Sequence, residues 1–512
     1  MDPRRRNLVL GSLLIAMFLS AMEGTIVATA MPTIIGDLGG FALFAWVFSL
    51  FLLAQVATIP IYGRLSDVIG RKRVFAVGIM IFLAGSFLCG ASQSMVFLIM
   101  ARVVQGIGAG AVLPVASTIV GDIYSLQERA KVQGYISSAW ALASVAGPTL
   151  GGLIVQTIGW SWIFWINIPI GLLALIGVWV FHQETLTKKR HSIDWLGSLT
   201  LVIATSSLIL ALVQGGVVWA WSSPQSYLSF GGFAVFAALF IWRESRAKEP
   251  ILPLDLMKRR SIAAANLIAL VAGGVTYGIT SFTPTFAQGV LGTSSIAAGL
   301  IIATLSIGWP VAATLSGPVI IRRGYRFTGL VSLFITLAAT LLFALLLKPG
   351  VNPWALAGVT TIFGFGLGGA TTTSLLAVQT VVSYAQRGVS TGANMFARTL
   401  GSTLWVAILG SVMNGVIVNR LASLHIVLGH TPKFQQKLDV TNVLLDPAER
   451  ARLGAVQLRA LTHTLAAGID HAFWWVFATA AIGVALGLLM PKGVPTEAER
   501  QGDAVRTPST PA

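Results

Sequence analysis

Gly63-Arg64-Leu65-Ser66-Asp67-Val68-Ile69-Gly70-Arg71-Lys72-Arg73 packs four basic side chains and one acid between two long apolar runs, 42–62 and 74–91. Gly63 and Gly70 permit a very short turn between two packed helices. Asp67 is placed to cap a helix end and to hold a basic partner. The flanking runs have the length of a bilayer crossing, about 20 apolar residues. Such runs recur along the whole chain. They fall near 8–33, 42–62, 74–91, 96–119, 134–156, 162–181, 196–215, 227–243, 261–285, 295–316, 327–347, 354–380, 388–414 and 468–490. The expectation is an all-α integral membrane protein with fourteen transmembrane helices.

Composition agrees. Of 512 residues, 55% are hydrophobic and only 10% are charged, against about 25% charged in soluble proteins. Too few polar side chains exist to cover a water-facing surface. A soluble enzyme, a disordered chain and a coiled coil are excluded. The single cysteine, Cys89, excludes a disulfide framework and a cysteine metal site. No Walker A segment and no HExxH pair is present, so ATP-driven and zinc-hydrolase chemistry have no sequence support. The net charge of +16 would suggest nucleic acid in a soluble protein. Here its placement carries the information, because cytoplasmic loops are rich in Lys and Arg.

With the N-terminus inside, the basic clusters fall on inside segments. They are Arg4–Arg6, Arg64 with Arg71–Arg73, Arg129/Lys131, Lys188–Arg190, the Arg243–Arg260 group, Arg322/Arg323/Arg326, Arg387 and the 492–506 tail. Lys348 is the one basic residue on the short outside loops; the long outside loop 416–467 carries several and runs against the rule. Both termini are expected to be cytoplasmic, which requires an even span count. The Ala28-Thr29-Ala30 site after a basic start resembles a leader cleavage site, yet removal of the first span would break that parity.

A repeat is visible. Gly106, Gly108, Gly110, Arg129 and Gly134 recur in constant register as Gly364, Gly366, Gly368, Arg387 and Gly392, and Gly63 and Gly70 recur as Gly317 and Gly324. The spacing spans an even number of helices, so the two copies have the same orientation. The expected organisation is 6 + 2 + 6: a six-helix bundle over 1–181, two inserted helices within 182–260, and a second bundle over 261–490 that includes loop 416–467. A disordered cytoplasmic tail, 491–512, follows. Parallel halves that rock about a central site are a secondary-transporter architecture.

Four stretches then carry a resemblance. Gly63–Arg73 resembles motif A of the major facilitator superfamily, and Arg102-Val-Val-Gln105-Gly106-Ile-Gly108-Ala-Gly110 resembles its motif B. Gly147-Pro148-Thr-Leu-Gly151-Gly152 is similar to the antiporter motif of the fifth span, with Ala143 at the leading glycine. Glu23-Gly-Thr25-Ile26-Val27-Ala-Thr-Ala-Met-Pro32, with Trp160–Pro169, resembles the fourteen-span drug:proton antiporters. The chain departs from that family at Glu23 for Asp, Ala28 for Asn, Phe51 for Tyr, and Ile321 where the second motif A copy would hold its acid.

Glu23 is the one acid well inside a span. Burial disfavours its charged form, which suits a group that must gain and lose a proton. Counting from the span ends puts Glu23 about 15 Å and Arg102 about 9 Å from the same face, within reach of a long side chain. The resemblance implies that Arg102 takes part in proton coupling, with Gln105 one turn on. It also implies that Gly63, Asp67, Gly70, Arg71 and Arg73 form a conformational switch. Gly147, Pro148, Gly151 and Gly152 would form a gating kink. Trp46, Phe51, Gln55, Gln105, Tyr277, Phe282, Trp309, Phe363 and Arg398 are candidates for a substrate cavity. Arg398 suits either an anionic ligand or a pairing with motif A.

The implied function is proton-coupled export of hydrophobic or amphipathic drugs across a bacterial inner membrane. Its partners would be a small lipophilic substrate, H⁺ and membrane lipids; no nucleic acid, metal or cofactor is called for, the proton being the coupling ion. A periplasmic or outer-membrane partner is left open. A transporter of one specific metabolite or organic anion, and a non-transporting receptor, are the alternatives.

Overall fold

A computed structural model describes residues 2–39, 43–184, 194–215, 219–247, 249–423, 444–445, 450 and 452–493. The basic run 188–190, Lys248, most of 424–454 and the tail from 494 lie outside the described residues.

The chain is a succession of long helices, the form that satisfies every backbone group without water. They are α1 (Pro3–Leu38), α2 (Phe44–Ile69), α3 (Arg71–Gly90), α4 (Met95–Ile123), α5 (Leu126–Thr157), α6 (Trp162–Phe181), α7 (Trp195–Gln214) and α8 (Pro224–Glu244). In the second half come α9 (Arg260–Gly289), α10 (295–323), α11 (325–346), α12 (Pro353–Thr380), α13 (Arg387–Ser423) and α14 (Ala455–Gly487). By length and composition thirteen stretches can cross a membrane. One of them, Ile296–Leu346, is long enough for two and is broken at Gly324, whose φ of 81° divides it into two helices. The fourteen apolar runs are thereby all accounted for.

Most helices outrun their apolar stretches. The turn expected over 63–73 shrinks to one residue, Gly70 at φ 103°. Gly70 and Gly324, paired by the sequence repeat, thus make the same left-handed break, where a side chain would be strained. α13 continues to Ser423 and α14 starts at Ala455, so both ends of the expected loop 416–467 are helical.

Buried apolar residues between Val9 and Val178 form one core, and those between Val271 and Ala480 form a second. A third cluster joins Ile59, Leu126 and Ala130 of the first half to Ile320, Val389 and Met395 of the second. There the halves touch closely. A methyl group on Gly63 would lie 2.8 Å from the Gly388 carbonyl oxygen, and one on Gly317 would lie 2.5 Å from the Ala130 Cβ. The two contacts are counterparts under the repeat. α7 packs on both α2 and α13, with Leu208 and Leu212 against Ala407. α8 is mostly exposed, with Tyr227, Leu228 and Val235 on its outer face.

Candidate functional site

Two buried polar clusters stand out, one deep in the first half and one at the seam between halves. In the first, Glu23 of α1 and Arg102 of α4 are fully buried and form an ion pair. Arg102 Nη1 donates to Glu23 Oε1 and also to Gln105 Oε1, the latter at 2.7 Å. Asn167 of α6 donates from Nδ2 to Glu23 Oε2 at 2.7 Å and to Ser86 Oγ at 2.8 Å. Gln105 Nε2 donates to Ser86 Oγ at 3.0 Å, and Ser86 donates to the Phe164 carbonyl. The Arg102 guanidinium lies 3.9 Å from the centre of the Phe51 ring. Arg102 of α4 and Asn167 of α6 thus hold the α1 carboxylate, and Ser86 of α3 ties Gln105 to Asn167 behind it. The helices can approach because Gly85 admits the Gln105 backbone, where a methyl group would sit at 2.4 Å.

A buried ion pair repays its desolvation only if the remaining lone pairs and protons are satisfied. Here both carboxylate oxygens have donors. One acceptor, Asn167 Oδ1, has no partner among the described residues. Protonation of Glu23 would replace an acceptor with a donor on a group already facing N–H groups, so the network changes its hydrogen bonding whenever the proton arrives or leaves.

The second cluster crosses the seam. Asp67 accepts from the backbone N–H groups of Gly388 (2.9 Å) and Val389 (2.8 Å) at the start of α13. It is a helix cap supplied from the other half, a carboxylate at the positive end of a helix dipole. Arg71 Nη2 donates to Asp67 at 2.9 Å, and Arg71 Nε donates to Asp122 at 3.0 Å. The same guanidinium donates to the Tyr384 carbonyl across the seam and lies 4.0 Å from the Tyr384 ring centre. Arg387 Nη1 returns the contact, donating to Asp122 at 2.6 Å and to the Gly121 carbonyl at 2.8 Å. Glu184 caps α3, accepting from the N–H groups of Arg71 (2.7 Å) and Lys72 (3.1 Å).

The counterpart of this cap lacks charge for a visible reason. Ile321 replaces the acid, and the helix it would cap, α5, caps itself through the Ser125–Glu128 capping box. His182, beside the cluster, is buried, and its Nδ1 has no partner among the described residues. Burial pushes its imidazole down to about 4, against an upward pull from Asp122 and with smaller downward contributions from Lys72 and Arg71.

The structure brings together Glu23, Arg102, Gln105 and Phe51, and separately Gly63, Asp67, Gly70 and Arg71. Arg73 is exposed and outside the seam cluster. Gly147 packs on Thr25 and Gly151 on Ile26, whereas Gly152 faces open space. α5 runs through Pro148 as one helix. Phe282 and Phe363 belong to the second core. Gln105 belongs to the Glu23 network. Trp46, Gln55, Trp309 and Arg398 are half-buried, and Tyr277 is 38% exposed. Asp122, Glu184, Ser86 and Asn167 are additions that the sequence reading did not single out as site residues. The first two sit just past the ends of apolar runs, and the last two are uncharged.

Residues 13–406 match the model of the Major Facilitator Superfamily. The chain belongs to this superfamily. It is a transporter of the major facilitator type, a multi-pass membrane protein and not an enzyme. Among curated relatives, Multidrug resistance protein 3 of Bacillus subtilis is 39% identical over 413 residues, covering 81% of this chain and 80% of that one. Multidrug transporter protein MdtP of the same organism is 36% identical over 410 residues, covering 80% and 76%. Among solved structures, the human organic anion transporter MFSD10 (TETRAN) superposes with a TM-score of 0.62 at 16% identity, covering 95% of this chain and all of that one. That likeness is one of fold alone.

Proposed function

We propose that this major facilitator transporter exports hydrophobic or amphipathic compounds in exchange for protons, as a fourteen-span drug:proton antiporter. The observation that carries the reading is Glu23, a carboxylate buried in the membrane interior, held by Arg102 and Asn167 in a network that must rearrange on protonation. Relatives named for multidrug resistance and multidrug transport support the class of cargo.

In this reading α1–α6 and α9–α14 are the two rocking bundles, and α7–α8 are inserted between them. The separate cores and the seat of α7 across α2 and α13 support that division. The Arg71 end faces the cytoplasm, where the basic loops gather, and both chain termini lie there. Arg6 at the start of α1 pairs with Glu128 at that end, and Arg260 donates to the Leu489 carbonyl just past α14. The Asp67–α13 cap then holds the cytoplasmic side shut. Protonation of Glu23 from the acidic outside and proton release inward switch the bundles between states. Substrate and proton each bias that equilibrium, and exchange follows from linkage.

The energetics set limits. One-for-one exchange of H⁺ with a monovalent cation is electroneutral, giving about tenfold accumulation per pH unit. A neutral cargo also draws on the membrane potential, roughly 2.3 kcal/mol per 100 mV. The test is gradient-driven movement of an amphipathic probe in proteoliposomes, native chain against Glu23→Gln.

A further inference from the structure

We propose that Arg398 is the anchor for an anionic group on the cargo, so that the favoured substrates are amphipathic organic anions. The inference rests on the export reading for what is carried, but its site is separate from Glu23.

Arg398 lies eleven residues into α13, about 16 Å along the helix from Arg387 and so deep in the membrane. Its helix face is fixed by its neighbours. Thr391, Asn394, Ser402 and Trp405 fall within about half a right angle of it on a helix of 3.6 residues per turn. Thr391 meets Gln379 of α12, and Asn394 meets Ala265 of α9 and Ser374 of α12. Ser402 donates to the Gly273 carbonyl of α9, and Trp405 donates to Thr479 of α14. The opposite face, Leu400, Leu404 and Ala407, packs toward α7. Arg398 therefore points into the protein and not toward lipid. Its backbone is held there closely: a methyl group on Gly273 would overlap the Arg398 carbonyl oxygen, at 1.9 Å.

The other interior arginines are occupied. Arg71, Arg102, Arg129 and Arg387 each donate to a carboxylate or carbonyl. The Arg398 guanidinium has no hydrogen bond and no ion pair among the described residues, and the residue is only half-buried. The sequence holds no Asp or Glu between residues 256 and 438, and the acid of the neighbouring α14, Asp470, interacts with His471, Lys348 and Arg420 and not with Arg398. Glu23 is engaged by Arg102 and Asn167. An uncompensated cation at this depth is costly and marks a functional site. Arg is also the side chain best shaped to take a carboxylate or sulfonate in a two-pronged hydrogen bond. A cationic cargo would meet like charge here. An anionic cargo leaving in exchange for an entering proton moves two charges in the favoured direction, so the membrane potential counts twice.

The experiment is equilibrium binding to the full chain in nanodiscs with no gradient. The probes are 11-(dansylamino)undecanoic acid and its methyl ester, read by energy transfer from tryptophan against empty nanodiscs. The native chain should bind the acid at least tenfold more tightly than the ester, the scale of a charge-assisted contact. Arg398→Gln should erase that preference with ester affinity retained, and Arg398→Lys should keep part of it. Equal binding of acid and ester by the native chain overturns the proposal, whether or not the variant folds. A preference that survives Arg398→Gln also overturns it. The export reading fails separately. If acid preference resides at Arg398 and no pH gradient moves the probe, the site stands and the antiport reading falls. If gradient-driven transport of a cationic dye is intact in native and Arg398→Gln proteins and no acid preference exists, the reverse holds.

Discussion

Replacing Asp67 by Asn tests the seam with little change of shape. Asp67 takes two backbone N–H groups of α13 and the Arg71 guanidinium. Its contact with Arg71 lies within one half and survives when the halves part, so only the cross-seam part biases the conformational equilibrium. Two charge-assisted hydrogen bonds exceed neutral ones by about 1 kcal/mol each. The carboxylate at the α13 dipole adds roughly 1 kcal/mol. About 3 kcal/mol corresponds to roughly a 150-fold rise in the fraction open at this end. Ser66→Cys provides the reporter. Ser66 is buried at the seam, and a methyl group on the facing Gly388 would lie 2.3 Å from its Oγ. With Cys89, the one native cysteine, changed to Ala, a membrane-impermeant maleimide applied from this side should label Ser66→Cys about a hundredfold faster in the Asp67→Asn background. Labelling rates within twofold of each other would refute the cap as the element that holds the halves together.

Gly63→Ala should open the same seam by sterics alone, since its methyl group would meet backbone at 2.8 Å, and Ser66→Cys labelling should rise without any change of charge. Asn167→Leu should cost about 2 kcal/mol by leaving Glu23 Oε2 short of a donor. Asn167→Asp should cost more by setting a second carboxylate beside the first. Thermal unfolding in detergent checks both, and unchanged midpoints would remove Asn167 from the network. His182 binds its proton only near pH 4 when folded, whereas the unfolded chain binds it near 6.5. Between those values the unfolded state holds more protons, so stability should fall as pH drops through that window, by up to roughly 3 kcal/mol. Unfolding midpoints measured from pH 8 to pH 4 should slope less in His182→Gln, and parallel profiles would contradict this.

The apolar runs made the helices legible because a bilayer leaves one solution for a long uncharged segment. The glycine register made the repeat legible, and Gly70 and Gly324 do adopt matching breaks. The pairing of Glu23 with Arg102 was readable as matching depth, though their lateral contact needed the fold. Less was visible where partners come from distant segments. Asp122 looks like a loop acid in sequence, yet it joins Arg71 to Arg387 across the seam. Asn167 is neutral and so escapes any search for buried charge. Arg73 reads like Arg71, but helical phase turns it to solvent. Phe282 and Phe363 pack in the second core, and the sequence alone does not separate that role from cavity lining because both use the same side chains.

The central claim is that Glu23 carries the coupling proton. Proteoliposomes with an imposed pH gradient, acid on the side toward which cargo is driven, would be loaded in turn with ethidium and with 11-(dansylamino)undecanoic acid. The native chain should move at least one of these probes against its gradient and release protons to the other side. Glu23→Gln should bind the same probe yet lose gradient-driven accumulation. Accumulation by Glu23→Gln equal to native would contradict the account and place the coupling proton elsewhere in the molecule.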